Sequence, residues 1–182
     1  MKVKDIILTA SSYLGVEEKV RDFIEHRVPS CKEGELLLRC YNLIEKEVAQ
    51  DYIPLIIEET FQTETGAVYY NQFSEQAVRV IKTQDSYGND IACTLFPEYL
   101  KTQAGTIVIR YAYKPTDKTV DDDCAFDLRV SQSLLVYGVL TEYCLANGLF
   151  EESAVWDKKY KDAVAAAYRA KPAKRISARR WI

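Results

Sequence analysis

Apolar positions recur at helical spacing near both ends of the chain and at a spacing of two in the middle. Val3, Ile6, Ile7, Ala10, Tyr13 and Leu14 share one face of a first predicted helix, which Gly15 interrupts. A second, from Glu17 to about Arg27, places Val20, Phe23 and Ile24 together, and Pro29 closes it. The third runs from Glu33 to Asp51. Its stripe is Leu36, Leu37, Cys40, Leu43, Ile44 and Val48, and Glu35 precedes Arg39 at the four-residue spacing that favours an ion pair. Ile53-Pro54 stops it.

From Leu55 to Tyr113 the period is two. Leu55–Phe61, Ala67–Tyr70 and Ala77–Thr83 read as strands, with a turn over residues 85–90 in which Gly88 supplies a permissive backbone. Ile91–Phe96 is the expected hairpin partner of the strand before that turn. Thr106–Tyr113 alternates most clearly. No helical pattern separates these runs, so an antiparallel sheet or small sandwich is expected and a parallel sheet is disfavoured.

Helical spacing returns with Phe126, Val130, Leu134, Tyr137, Leu140, Tyr143 and Cys144. Asp121, Asp122 and Asp123 stand where that helix is expected to begin and read as caps for its free N–H groups. Asn147-Gly148 is a stop signal, and Glu151-Glu152 opens a last helix to about Ala170, giving an αα-hairpin. The fold class is therefore α+β, a helical bundle formed by the N- and C-terminal helices with an inserted antiparallel β-sheet. The expected parts are residues 1–54 (N-terminal helices), 55–115 (β insertion), 116–170 (closing hairpin) and 171–182 (a basic tail).

Charge changes the picture at the tail. The chain holds 24 Lys and Arg against 27 Asp and Glu. Six of the cations fall between Arg169 and Ile182, where there is no acid, so the body before them is distinctly acidic. Lys171, Lys174, Arg175, Arg179 and Arg180, with Trp181 as an apolar anchor, form a candidate partner-binding segment, because Trp and Arg dominate interface hot spots. The same cations could neutralise phosphates, or the end could simply be solvated. Thirteen tyrosines against six phenylalanines suit half-buried strands and subunit contacts.

Catalytic chemistry finds little to stand on. Five scattered cysteines without a close pair read as free thiols, and His26 is the single histidine, so neither a zinc site nor a Cys–His pair is expected. Ser11, Ser12 and Ser131 have no nucleophile-elbow context, and no glycine-rich phosphate loop occurs. Asp121–Asp123 lack the glycine and distal glutamate of a calcium loop, and Glu58-Glu59 read as solvated strand residues. No enzyme, no cofactor and no metal is the expectation. Residues 1–5 do not read as a secretory leader, and no apolar run approaches the roughly 18 residues of a membrane span.

The opening VKDIILTASSYLGV, the helix LLLRCYNLIEKEVAQDYIPL and the closing YGVLTEYCLANGLFEESAVWDKKYKDAV together resemble the head-to-tail connector (adaptor or neck) proteins of tailed bacteriophages. The resemblance implies a virion structural protein, assembled in the host bacterial cytoplasm, that forms a homo-oligomeric ring, commonly of twelve subunits. It further implies contacts with the portal protein and with tail or neck proteins, a C-terminal extension reaching the portal, and DNA passing through the channel without sequence-specific binding. The alternative expectation is a nucleic-acid-associated module that uses the basic tail.

Overall fold

A computed structural model of the chain describes residues 1–126 and 130–169. These residues form helices α1 (Val3–Tyr13), α2 (Glu17–Ile24), α3 (Lys32–Glu47), α4 (Gln132–Ala146) and α5 (Phe150–Arg169). Between α3 and α4 lie strands β1 (Leu55–Thr63), β2 (Ala67–Tyr69), β3 (Gln76–Asp85), β4 (Thr94–Leu95), β5 (Tyr99–Lys101) and β6 (Gly105–Lys114). The protein is thus α+β, with helices from both ends of the chain and two small antiparallel sheets.

Helices from both ends share one core. Val3, Ile6, Ile7 and Ala10 of α1 meet Val20 and Ile24 of α2, Leu37, Cys40, Tyr41, Ile44 and Val48 of the third helix, and Leu134, Leu135, Val139 and Leu140 of α4. α4 touches α1, α3 and α5 and is buried on most of its circumference. Its approach to α3 is close because position 138 is glycine, where a Cβ would come within 2.7 Å of Ile44 Cγ2. α5 buries only Ser153, Tyr160 and Val164, and lies on the outside of α4. Gly148, at a φ of 74°, turns the chain between them, as the Asn147-Gly148 signal anticipates.

Two packing positions expected in the N-terminal helices are exposed, and so is Val155 of α5, also expected on a packing face. Tyr13 and Leu43 are each 57% exposed. In α3 the buried set is 34, 37, 40, 41, 44 and 45, continued by Val48 in the next turn, a three- and four-residue ladder that includes Tyr41 and Glu45 and leaves Leu43 on its flank. The expected Glu35–Arg39 ion pair does not form among the described residues, and α2 ends three residues early, at Ile24. α3 continues through one π-helical turn, Val48–Tyr52, before Pro54.

The start of α4 is a further correction. It begins at Gln132, where the Ser131 side chain accepts the Leu134 N–H at 3.2 Å. Asp121–Asp123 lie well upstream and cap no helix. Asp122 instead accepts from the N–H and hydroxyl of Thr119, and Asp123 takes the Lys2 ammonium at 2.8 Å. Asp121 meets His26 at 3.3 Å. These local partners hold residues 119–126 across the N-terminus as irregular chain, while Phe126 and Val130 still reach the helical core.

In the larger sheet β6 is central, antiparallel to both β1 and β3. The smaller sheet has the order β2-β5-β4. A second core, of Val68, Phe73, Leu100, Ile107, Ile109 and Tyr111, fills the space between them, and Tyr113 touches both cores. The expected hairpin of residues 77–83 with Ile91–Phe96 is not built. After the Asp85 turn, Ile91 donates to the Thr83 carbonyl, and then the chain leaves. Thr94–Leu95 pairs with β5 instead, because Ile91 and Cys93 turn into the second core.

Candidate functional site

The segment singled out by charge, Lys171, Lys174, Arg175, Arg179, Arg180 and Trp181, lies outside the described residues. Its root is described. α5 is fixed at mid-length, where the Tyr160 hydroxyl donates to Glu47 at 3.1 Å and the ring meets Tyr52 edge-on. Burial and the neighbouring Glu47 carboxylate push the Tyr160 hydroxyl far above its ordinary range, so it stays a donor. Nine more residues of helix, about 13 Å, carry the chain past this point to Arg169.

One turn earlier, α5 is held by rings. Trp156 lies against Tyr137 of α4 (centroids 5.9 Å) and Tyr13 of α1 (5.3 Å), and Lys159 Nζ sits 4.2 Å above the Trp156 ring. Exposed apolar side chains gather at the turn end of the hairpin: Leu145, Leu149 and Phe150, the last 70% exposed.

Titratable groups are engaged in the fold. Glu45 is 1% exposed and accepts from the Tyr41 hydroxyl at 2.6 Å and the Ala125 N–H at 2.7 Å. It ties α3 to the chain that leads into α4. Glu59 was expected to be solvated; instead it accepts from the Tyr111 hydroxyl at 2.9 Å and from both the N–H and the hydroxyl of Ser74. Neither network is visible as a motif, but the signal for Glu45 exists, since it sits one turn after Tyr41 inside an apolar ladder.

The nucleophile candidates are separated or inert. His26 is turned to Asp121 and not to Cys31, whose thiol faces Glu33 at 3.6 Å. Burial raises the thiols of Cys40, Cys124 and Cys144, that of Cys40 to about 11, which keeps them protonated at neutral pH. Ser11 and Ser12 donate to carbonyls one turn back, and Ser131 is a helix cap. Among the described residues no three His, Cys, Asp or Glu side chains gather as a metal cage, and no helix is long and apolar enough to cross a membrane. An open groove of about 660 Å³ runs along α3, lined by Leu38, Arg39, Asn42, Leu43, Lys46 and Asp117; Asn42 spans it by bonding both the N–H and the carbonyl of Lys118.

The described residues thus define an α+β protein in which Glu45, Glu59, Asp122 and Asp123 are held by hydrogen bonds within the fold. No protein-family model and no curated protein matches the chain.

Proposed function

We propose that this chain is a structural subunit of a tailed-phage or prophage virion, a head-to-tail connector that forms a ring between the portal protein and the tail. The observation that carries the reading is the architecture. Helices from both ends of the chain close one core, a β segment stands apart with its own core, and a basic segment leaves from the closing helix. The burial of polar groups in structural networks, with no assembled catalytic set among the described residues, is in keeping with it. The acidic body would let DNA pass a channel without sticking, and Lys171, Lys174, Arg175, Arg179, Arg180 and Trp181 would grip an acidic surface on the portal or a neighbouring ring.

The test is truncation after Pro172, read against the cognate portal. The full chain is expected to co-sediment with portal rings and the truncated chain to lose most of that binding while keeping its melting temperature. Replacing Trp181 with Ala should weaken binding about tenfold or more, as expected of an anchor worth about 2 kcal/mol. A full chain that never associates with the portal overturns the reading. If the full chain binds duplex DNA with a steep salt dependence that truncation abolishes, the nucleic-acid module takes its place.

A further inference from the structure

The larger sheet has two open edges, and they carry opposite charge. With β6 in the middle, β1 and β3 each present one unpaired side. Among the described residues β1 pairs with β6 alone, and no other backbone hydrogen bond reaches it. β3 is covered only at its far end, by the turn that returns Asn89 and Ile91 to Asp85 and Thr83; residues 76–82 are open. Free edges of seven and nine residues invite another strand. β1 contains Glu58 and Glu59 and no cation, whereas residues 76–82 contain no acid and two cations, Arg79, without an ion partner among the described residues, and Lys82, which pairs with Asp90 at 2.8 Å.

Apolar contact lies beside the charges. Ile56 on β1 is exposed, and Val78 and Ile81 on β3 are 47% and 43% exposed. Both of these sit at bulges, between Ala77 and Arg79 and between Val80 and Lys82, and have no partner on β6. Register sets the heights. Glu58 and Lys82 both pair with Arg110, and Ile56 and Arg79 both pair with Ala112. A copy rotated beside the first, without a shift along the strands, therefore brings its Lys82 level with Glu58 and its Val78–Arg79 level with Ile56. Both edge strands are antiparallel to β6 and so run parallel to each other, which is the orientation a rotation preserves. Like edges would instead oppose Glu to Glu, or Arg and Lys to themselves, a repulsive arrangement.

We propose that the β1 edge of one copy docks on the β3 edge of the next, head to tail, so that neighbouring sheets run on around the ring. The proposal rests on the connector reading above and names its lateral contact. The bulges prevent an unbroken backbone ladder, so side chains make the joint: Ile56 against Val78 and Ile81, Glu58 against Lys82 and Arg79. Because the two surfaces differ, the contact is heterologous and closes only as a ring.

Charge reversal tests it on the full chain, by sedimentation velocity across a concentration series. The unaltered chain is expected to form species larger than a dimer. Arg79→Glu, at a side chain with no ion partner among the described residues, should weaken association at least about tenfold, in the range of truncating one interfacial charge pair. Glu58→Lys should do the same; since it sets a second cation beside Arg110, its melting temperature is followed, with Ile56→Lys, which sets a cation level with Arg79, as the second variant of that edge. The double reversal R79E/E58K should recover part of the association, since Lys82 stays in place, and mixing the two single variants should yield large species that neither forms alone. Oligomers indifferent to every reversal overturn the edge contact and leave the ring reading standing. Assembly that stops at dimers overturns it in favour of like edges. A chain monomeric at every concentration also overturns it, and portal co-sedimentation then judges the connector reading separately.

Discussion

Glu45 is a carboxylate placed among Tyr41, Leu37 and Ile44 and satisfied by two donors from different parts of the chain. Removing it with Glu45→Ala leaves the half-buried Ala125 N–H without its acceptor and the buried Tyr41 hydroxyl with only the weakly accepting Cys124 thiol beside it. The expected loss is about 3 kcal/mol in chemical denaturation, against about 1 kcal/mol for Tyr41→Phe, which leaves Glu45 its backbone donor. A second residue-scale expectation concerns acid. Hydrogen bonds from the backbone and side chain of Thr119 lower the Asp122 carboxyl, and the Lys2 hydrogen bond lowers that of Asp123. Carboxyls depressed in the folded state stabilise it above their unfolded value, and that contribution is lost as pH falls through the folded value. Melting temperature should therefore hold from pH 7 to about 5 and drop below about 4. The variant Asp122→Asn/Asp123→Asn should be less stable at pH 7 and show a shallower drop. The Lys2 partner is not legible in the sequence, because it lies 121 residues from Asp123; Thr119 is only three residues from Asp122, but a run of acids before an apolar stretch looks like a cap whatever it binds.

At the scale of elements, helix–helix approach depends on Gly138. Adding a methyl there drives into Ile44, which is buried and has nowhere to turn. Gly138→Ala is expected to lower stability by about 1–3 kcal/mol despite its better helix propensity, and Ile44→Val/Gly138→Ala should regain part of the loss, both read by thermal melting. Periodicity carried most of the elements. α1, α3, α5 and the strands β1, β3 and β6 lie where the spacing puts them, since each has a long run and a clear stop. What it missed has physical causes. Tyr13 fits an apolar stripe, yet its ring works from the outside against Trp156. Phe126 and Val130 keep helical spacing with α4 but are buried by irregular chain. Ile91–Phe96 has strand composition, but its sheet neighbour is chosen by the second core and not by the adjacent turn.

For the whole molecule, the α+β order of helices, strands and helices follows from the switch of period alone. The candidate tail is legible only as charge and a terminal Trp. The opposed sheet edges are not legible in the sequence, because knowing that β1 and β3 are the edges requires the order β1-β6-β3. Two cores joined through Tyr113 should differ in how they open. Amides of α4 are expected to exchange only with global unfolding, and those of β4, which is exposed throughout, within minutes, as hydrogen exchange with peptide-level readout would record. α4 has one more consequence. Being apolar on nearly every side, it has no stable place until α1 and α3 receive it, and they in turn present an unfilled cleft until it arrives. On the ribosome the first three helices emerge roughly eighty residues before their filler, with a sheet synthesised in between. Nascent chains halted ahead of Gln132 should therefore remain loose and sticky and call on chaperones, and the helical half should consolidate only as the last third of the polypeptide leaves the exit tunnel.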